Sequence, residues 1–177
     1  MKKYLFIISI IVAVVALDQL TKLAICRTLP LHHQIEVSRN FFHIVHIRNP
    51  GIAFGLLTDA GSRYRIPLLI LISGVAVFII IYFLSQIKDG SRLQLLCFSL
   101  LLGGAAGNLI DRFRLGAVVD FIDLHWYSSF HWPAFNVADS AITIGICLLA
   151  LDMLLDTKNK KQRHAAGENS SNAPDHF

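Results

Sequence analysis

Four long apolar blocks decide what this chain can fold into. They run from about Tyr4 to Cys26, Ile66 to Ile87, Leu93 to Ile110 and Ala138 to Leu155. Each has roughly 18–23 residues, the length a helix needs to cross the hydrocarbon core of a bilayer. No water solvates a backbone there, so each block must satisfy its own N–H and C=O groups, and an α-helix does so. Composition agrees: 54% of residues are hydrophobic and only 16% charged, where a soluble domain carries about 25% charged. The expected fold is an all-α integral membrane domain of four transmembrane helices over residues 1–157, with 158–177 a basic, disordered cytoplasmic tail.

The first block begins like a secretory signal, with Lys2 and Lys3 before an apolar run. It continues past signal length, however, and then carries Asp18 and Lys22 instead of a small-residue cleavage site. Leu23-Ala24-Ile25-Cys26 has bulky Ile25 where a lipoprotein cleavage box needs a small residue. The block is therefore expected to stay as a membrane helix. Lys2, Lys3, Lys88, Arg92 and the run Lys158, Lys160, Lys161 and Arg163 fall in segments that four spans place on one side. The positive-inside rule assigns that side to the cytoplasm, giving an N-in, C-in chain. The other side holds arginines but no loop lysine. It also holds the larger loop, from Arg27 to Arg65. There Ile35-Glu36-Val37-Ser38 alternates with period two, and Phe41 to Ile47 is rich in aromatic and branched residues. Both read as short strands, so a small extracytoplasmic β-rich region is expected between helices 1 and 2. Asn49-Pro50-Gly51 reads as a turn.

Acidic residues in or beside a span carry the functional information. An Asp at the bilayer centre costs about 2.5–3.5 kcal/mol on insertion scales, so its presence needs a reason. Asp18, Asp111, Asp120, Asp123 and Asp139 all converge on the outer face by topology. Asp120 and Asp139 can meet if helices 3 and 4 are antiparallel neighbours. Two close carboxylates do not both ionise easily, so one keeps a proton and can polarise a carbonyl while the other activates water. Asp139 can equally serve as a cap for helix 4, and Asn136, three residues earlier, can do the same. Asn108, Asp111 and Arg112 share a helix face if helix 3 extends that far, and Arg112 can pair with Asp111. Asp18 and Lys22, at i and i+4, can pair within helix 1, which reads as mainly structural. Gly103, Gly104 and Gly107 suit close helix packing. A transporter would spread its acids through the membrane depth instead of gathering them at one face.

Other chemistries find little support. His125 and His131 lie between the two aspartates, and His32, His33, His43 and His46 lie in the outer loop, but H-E-x-x-H is absent and the spacings fit no tight ligand set. No metal and no cofactor is expected. Cys26, Cys97 and Cys147 show no C-x-x-C spacing and read as buried apolar side chains. The net charge of +4 comes without a folded basic face, which argues against nucleic acid. No G-x-S-x-G supports a serine nucleophile. Trp126, Tyr127, Trp132 and Phe135 suit an interfacial aromatic belt.

Four local patterns resemble the lipoprotein signal peptidase (signal peptidase II) family. They are Asp18-Gln19-Leu20-Thr21-Lys22, then Asn49-Pro50-Gly51-Ile52-Ala53-Phe54, then Gly103 to Arg112 continuing to Val118-Val119-Asp120-Phe121, and Phe135-Asn136-Val137-Ala138-Asp139-Ser140. They occur in the family's order over about residues 1–157. The resemblance implies an aspartic endopeptidase of the bacterial cytoplasmic (inner) membrane, multi-pass, with its active site at the extracytoplasmic face. It implies a diacylglyceryl-modified prolipoprotein as substrate, cut just before the lipidated cysteine, with membrane lipid as a further partner and a globomycin-type inhibitor. The catalytic pair maps onto Asp120 and Asp139. Asn108, Asp111, Arg112, Asn136, Asn49, Gly51, Asp18 and Lys22 are expected to bind substrate or support the site.

Overall fold

The computed structural model describes residues 2–51, 62–87, 91–127 and 130–171. Lys88, the Ile52-Ala53-Phe54 part of the outer-loop pattern and residues 172–177 fall outside them. Four helices carry the apolar blocks: α1 (Lys2–Thr28), α2 (Ser62–Gln86), α3 (Arg92–Leu115) and α4 (Val137–Ser171). Each has a stretch long and apolar enough to cross a membrane. Their surfaces are inverted relative to a soluble bundle. Large apolar side chains such as Leu5, Val12, Leu71, Phe78, Ile146 and Leu154 are more than half exposed, as lipid-facing residues should be.

Helix α3 lies at the centre of the bundle and packs against α1, α2 and α4. Its buried residues include Gly103, Gly104, Gly107, Asn108 and Asp111. The glycines explain the close approach. A Cβ on Gly104 would strike the Ala138 carbonyl of α4, and one on Gly107 would lie 2.7 Å from Asp18 Oδ2 of α1. The end of α3 differs from expectation. The apolar block stops near Ile110, but the helix runs on to Leu115 and closes on Gly116 in the left-handed conformation (φ 67°). Asp111, whose charge suggests a boundary, is itself buried against partners on α1, so the helix continues through it.

The sheet is larger than the sequence suggests. Strands β1 (Gln34–Ser38) and β2 (Phe42–Asn49) form in the 27–65 loop as expected. The antiparallel sheet then continues with β3 (Val118–Trp126) and β4 (Phe130–His131), giving the order β1-β2-β3-β4. Half of it therefore comes from the connection between α3 and α4, so it is not confined to the loop between helices 1 and 2. Strand β3 opens with Val118, Val119, Asp120 and Phe121 all buried. With no polar alternation, that stretch gives no period-two signal.

Two smaller differences follow. Only Cys97 of the three cysteines is buried, whereas Cys26 and Cys147 are exposed on their helices. Backbone helix in α4 continues to Ser171, past the expected span end near 155 and into the stretch expected to be disordered. Lys158, Lys160, Lys161, Arg163, Ala165 and Ala166 in that stretch favour helix.

Close packing at Gly107 has a measurable consequence. Gly107→Val should lower the apparent Tm of the protein in detergent, by the roughly 1–3 kcal/mol typical of overpacking. Gly74 has no atom within 4 Å of a built Cβ. Gly74→Ala should leave the Tm unchanged or raise it, because Ala is the better helix former by about 0.5–1 kcal/mol. Equal effects at the two positions would contradict the packing described.

Candidate active site

Asp120 and Asp139 come from different elements, β3 and the first turn of α4. Asp120 is 2% exposed. Its Oδ2 accepts a hydrogen bond from Asn49 Nδ2 at 3.0 Å, and its Oδ1 accepts one from Asn136 Nδ2 at 2.7 Å. Asn49 is placed by the tight turn that follows β2, where Gly51 N–H donates to Asn49 Oδ1 at 2.9 Å and Gly51 has φ 86°. The turn thus spends the amide oxygen on itself and leaves the amide nitrogen for Asp120.

Asp139 is held by a reciprocal cap. Asn136 precedes α4, and its Oδ1 accepts the Asp139 backbone N–H at 3.0 Å. The Asp139 carboxylate in turn accepts the Asn136 backbone N–H at 3.3 Å. This is the capping-box arrangement, with Asn and Asp in the two roles. Capping and site building are therefore not alternatives here. The other Asp139 oxygen accepts from Asn108 Nδ2 at 2.7 Å. Asn136 is fully buried and bonds both halves of the pair, Asp120 through its side chain and Asp139 through its backbone. It also donates to Asn108 Oδ1 and to the Val119 carbonyl, each at 3.3 Å.

Beneath this pair lies a buried ion cluster. Lys22 Nζ is 2.8 Å from Asp18 Oδ2, 2.9 Å from Asp111 Oδ2 and 3.0 Å from Asn108 Oδ1. Asp18 also accepts the Ala138 backbone N–H of α4 at 2.9 Å, and Asp111 accepts the Val119 N–H of β3 at 3.1 Å. Gln19, which the sequence does not single out, donates to Asp111 at 3.0 Å and to the Gly107 carbonyl at 3.2 Å. Its place in the Asp18-Gln19-Leu20-Thr21-Lys22 pattern, one residue after Asp18, is the cue that could have found it. Arg112 does not pair with Asp111, since Lys22 takes that carboxylate. Among the described residues its one side-chain hydrogen bond, at 3.4 Å, goes to the Asn108 carbonyl, and its Nε is buried without a partner. The charges of Asp139, Asp120 and Asp111 all act on it.

All ten expected site residues thus belong to one connected region. Asp120 carries its electrostatic signature. Burial pushes its carboxyl up to about 6 from 3.8, the nearby Asp139 charge adds to the rise, and the Asn49 and Asn136 hydrogen bonds and the Lys22 charge only partly offset it. The folded state therefore binds the Asp120 proton more tightly than the unfolded chain. That stabilising contribution is complete below pH 3.8 and is lost as pH rises through about 6. The apparent Tm in detergent should fall between pH 4 and pH 7 more steeply for the native sequence than for Asp120→Asn. Parallel profiles for the two would contradict a raised Asp120 pKa.

Comparison with known proteins adds to this geometry. The family model described as signal peptidase (SPase) II matches residues 10–155. The lipoprotein signal peptidase of Syntrophotalea carbinolica is 51% identical over 153 residues, covering 85% of this chain and 93% of that protein. That of Geobacter metallireducens is 45% identical over 163 residues, covering 92% and 99%. A solved bacterial membrane enzyme structure superposes with a TM-score of 0.75 at 38% identity, covering 87% of this chain and 90% of that one. With its fold, its paired aspartates and these relatives taken together, the chain belongs to the signal peptidase II family.

Proposed function

We propose that this chain is an aspartic endopeptidase that removes signal peptides from diacylglyceryl-modified prolipoproteins, cutting just before the lipidated cysteine. The observation that carries the reading is the pair of carboxylates on β3 and α4 joined through Asn136 and Asn108. The family's relatives, named lipoprotein signal peptidases, supply the substrate class.

In this reading the pair carries one proton between them. The ionised carboxylate takes a proton from water as that water attacks the scissile carbonyl. The protonated partner polarises the carbonyl and then supplies the proton the leaving nitrogen needs. The two titrate together, so the proton belongs to the pair. Neutral amides of Asn49, Asn108 and Asn136 hold the carboxylates without the full positive charge that would strip the proton away. Asn49 and Gly51 form the turn beside the scissile bond. Arg112, with a donor to spare, binds a substrate carbonyl or a lipid oxygen.

The substrate's apolar part has a place to go. A cavity of about 390 Å³ reaches Asp139 between walls of Leu124, Trp132, Phe135, Ser140, Thr143 and Ile144. It suits an acyl chain or an apolar peptide segment arriving sideways from lipid. Trp132 of its wall and Trp126, which lines a neighbouring cavity with Trp132, are exposed and fit a membrane interface. The chain is proposed to lie N-in and C-in in the cytoplasmic membrane, with the sheet and the aspartates at the extracytoplasmic face.

The test is cleavage by the full-length protein in detergent micelles. A prolipoprotein carrying diacylglycerol on its cysteine should be cut, with mass spectrometry placing the new N-terminus at that cysteine, and globomycin should block the reaction. Equal cleavage of the unlipidated form, or none of the lipidated form, would overturn the reading. Asn136→Ala should slow cleavage by roughly 10²-fold or more, because it releases the Asp120 carboxylate and removes the side-chain cap on the Asp139 backbone N–H.

A further inference from the structure

Away from the aspartate pair, three strands bring four ligand-capable side chains to one patch of the sheet. His43 on β2 stands directly opposite Asp123 on β3. His125 lies two residues further along β3, so it projects from the same face. His131 on β4 stands opposite His125. The linear spacing of these residues hides the cluster, because register across strands assembles it.

We propose that His43, Asp123 and His125, with His131 at the rim, bind one divalent transition-metal ion of the zinc type. Ligand atoms of the first three all lie within 4.8 Å of one another. Nδ1 of His125 and Nδ1 of His43 are 3.6 and 3.7 Å from the same oxygen, Asp123 Oδ2, and His131 Nδ1 is 3.8 Å from Oδ1. These separations are too long for hydrogen bonds. They are near the edge of about 3.3 Å that a tetrahedron with metal–ligand bonds of about 2.0–2.1 Å requires. A small inward movement of each ring would close them on a common ion.

A second observation points to the same ligand. His125 is 5% exposed, and its Nδ1 is buried with no hydrogen-bond partner among the described residues. A buried polar nitrogen left unpaired is unfavourable, and a cation shared with Asp123 satisfies it. The rings are already gathered: His43 and His125 centroids are 4.3 Å apart, and His125 and His131 stack at 5.0 Å. Three imidazoles this close repel one another when protonated but serve together as neutral ligands. Imidazole nitrogens with one carboxylate suit zinc, copper or nickel over calcium or magnesium, which prefer all-oxygen sites. On the far side of His43, Glu36 Oε2 faces Nε2 at 4.0 Å, where an outer carboxylate can orient a ligating imidazole.

The proposal concerns binding and does not depend on the peptidase reading. Full-length protein made without a polyhistidine tag, stripped with chelator and held in detergent at pH 7.5, is titrated with Co²⁺ and with Zn²⁺. The expected results are one ion per chain, a visible absorption spectrum of tetrahedral Co²⁺, and a higher apparent Tm with Zn²⁺. His43→Ala and Asp123→Asn should each weaken binding roughly tenfold or more, as loss of a ligand requires. His131→Ala should weaken it less, and His32→Ala, a change on the exposed loop away from the patch, should leave it unchanged. Absence of saturable binding would overturn the proposal. So would binding that survives the combined His43→Ala and Asp123→Asn change, since the ion would then sit elsewhere.

Discussion

The buried ammonium of Lys22 is the interaction on which the rest of the site depends. It is 3% exposed inside a lipid-length helix, a position that is strongly unfavourable for an unpaired charge. Asp18, Asp111 and Asn108 satisfy it at 2.8–3.0 Å. Each carboxylate then reaches one element further. Asp18 takes the Ala138 N–H at the start of α4, and Asp111 takes the Val119 N–H at the start of β3. Asp139 lies one residue after Ala138, and Asp120 one residue after Val119. One cation on α1 therefore fixes, through two carboxylates, the backbone on which both paired aspartates stand. Removing one member of such a cluster leaves an uncompensated buried charge, which costs about 3–5 kcal/mol.

Above that cluster the contacts change in kind. Lys22 does not contact Asp120 or Asp139 directly. The pair is bridged by neutral amides, Asn108 and Asn136, with Asn49 closing over Asp120 from the turn after β2. Full charges hold the scaffold, and dipoles hold the paired carboxylates. The difference matters for chemistry. A cation in direct contact with a carboxylate drives its proton off, while amides orient it and leave burial and the neighbouring carboxylate to keep a proton bound near pH 6. The proposed mechanism, in which the pair holds a single proton, needs that balance.

Much of this was legible in the sequence, and the omissions have physical causes. The spans were visible because lipid forces long apolar helices, and β1 and β2 because one of them alternates and the other is rich in branched and aromatic residues. The i, i+4 rule anticipated the pairing of Asp18 with Lys22. Strand β3 was hidden because its first four residues are all buried, Asp120 among them. The length of α3 was underestimated because a charge inside a span looks like an end, and its partner on α1 is about ninety residues away in the chain. The histidine patch was not visible as a cluster, since its residues meet across strands. Asp139 was left between cap and active group; the reciprocal bonds with Asn136 make it a cap, and its bond from Asn108 places it in the same amide network as Asp120.

The central claim is that Asp120 and Asp139 act jointly on the scissile bond. The direct measurement is the single-turnover cleavage rate of a diacylglyceryl-modified prolipoprotein by Asp120→Asn and Asp139→Asn, each verified as folded by its apparent Tm. Asn keeps the shape and much of the hydrogen bonding of each position but cannot exchange the proton. Both rates should fall by roughly 10²–10⁴-fold or more, the range general acid–base groups supply. A folded variant of either kind that cleaves at the native rate would contradict the account.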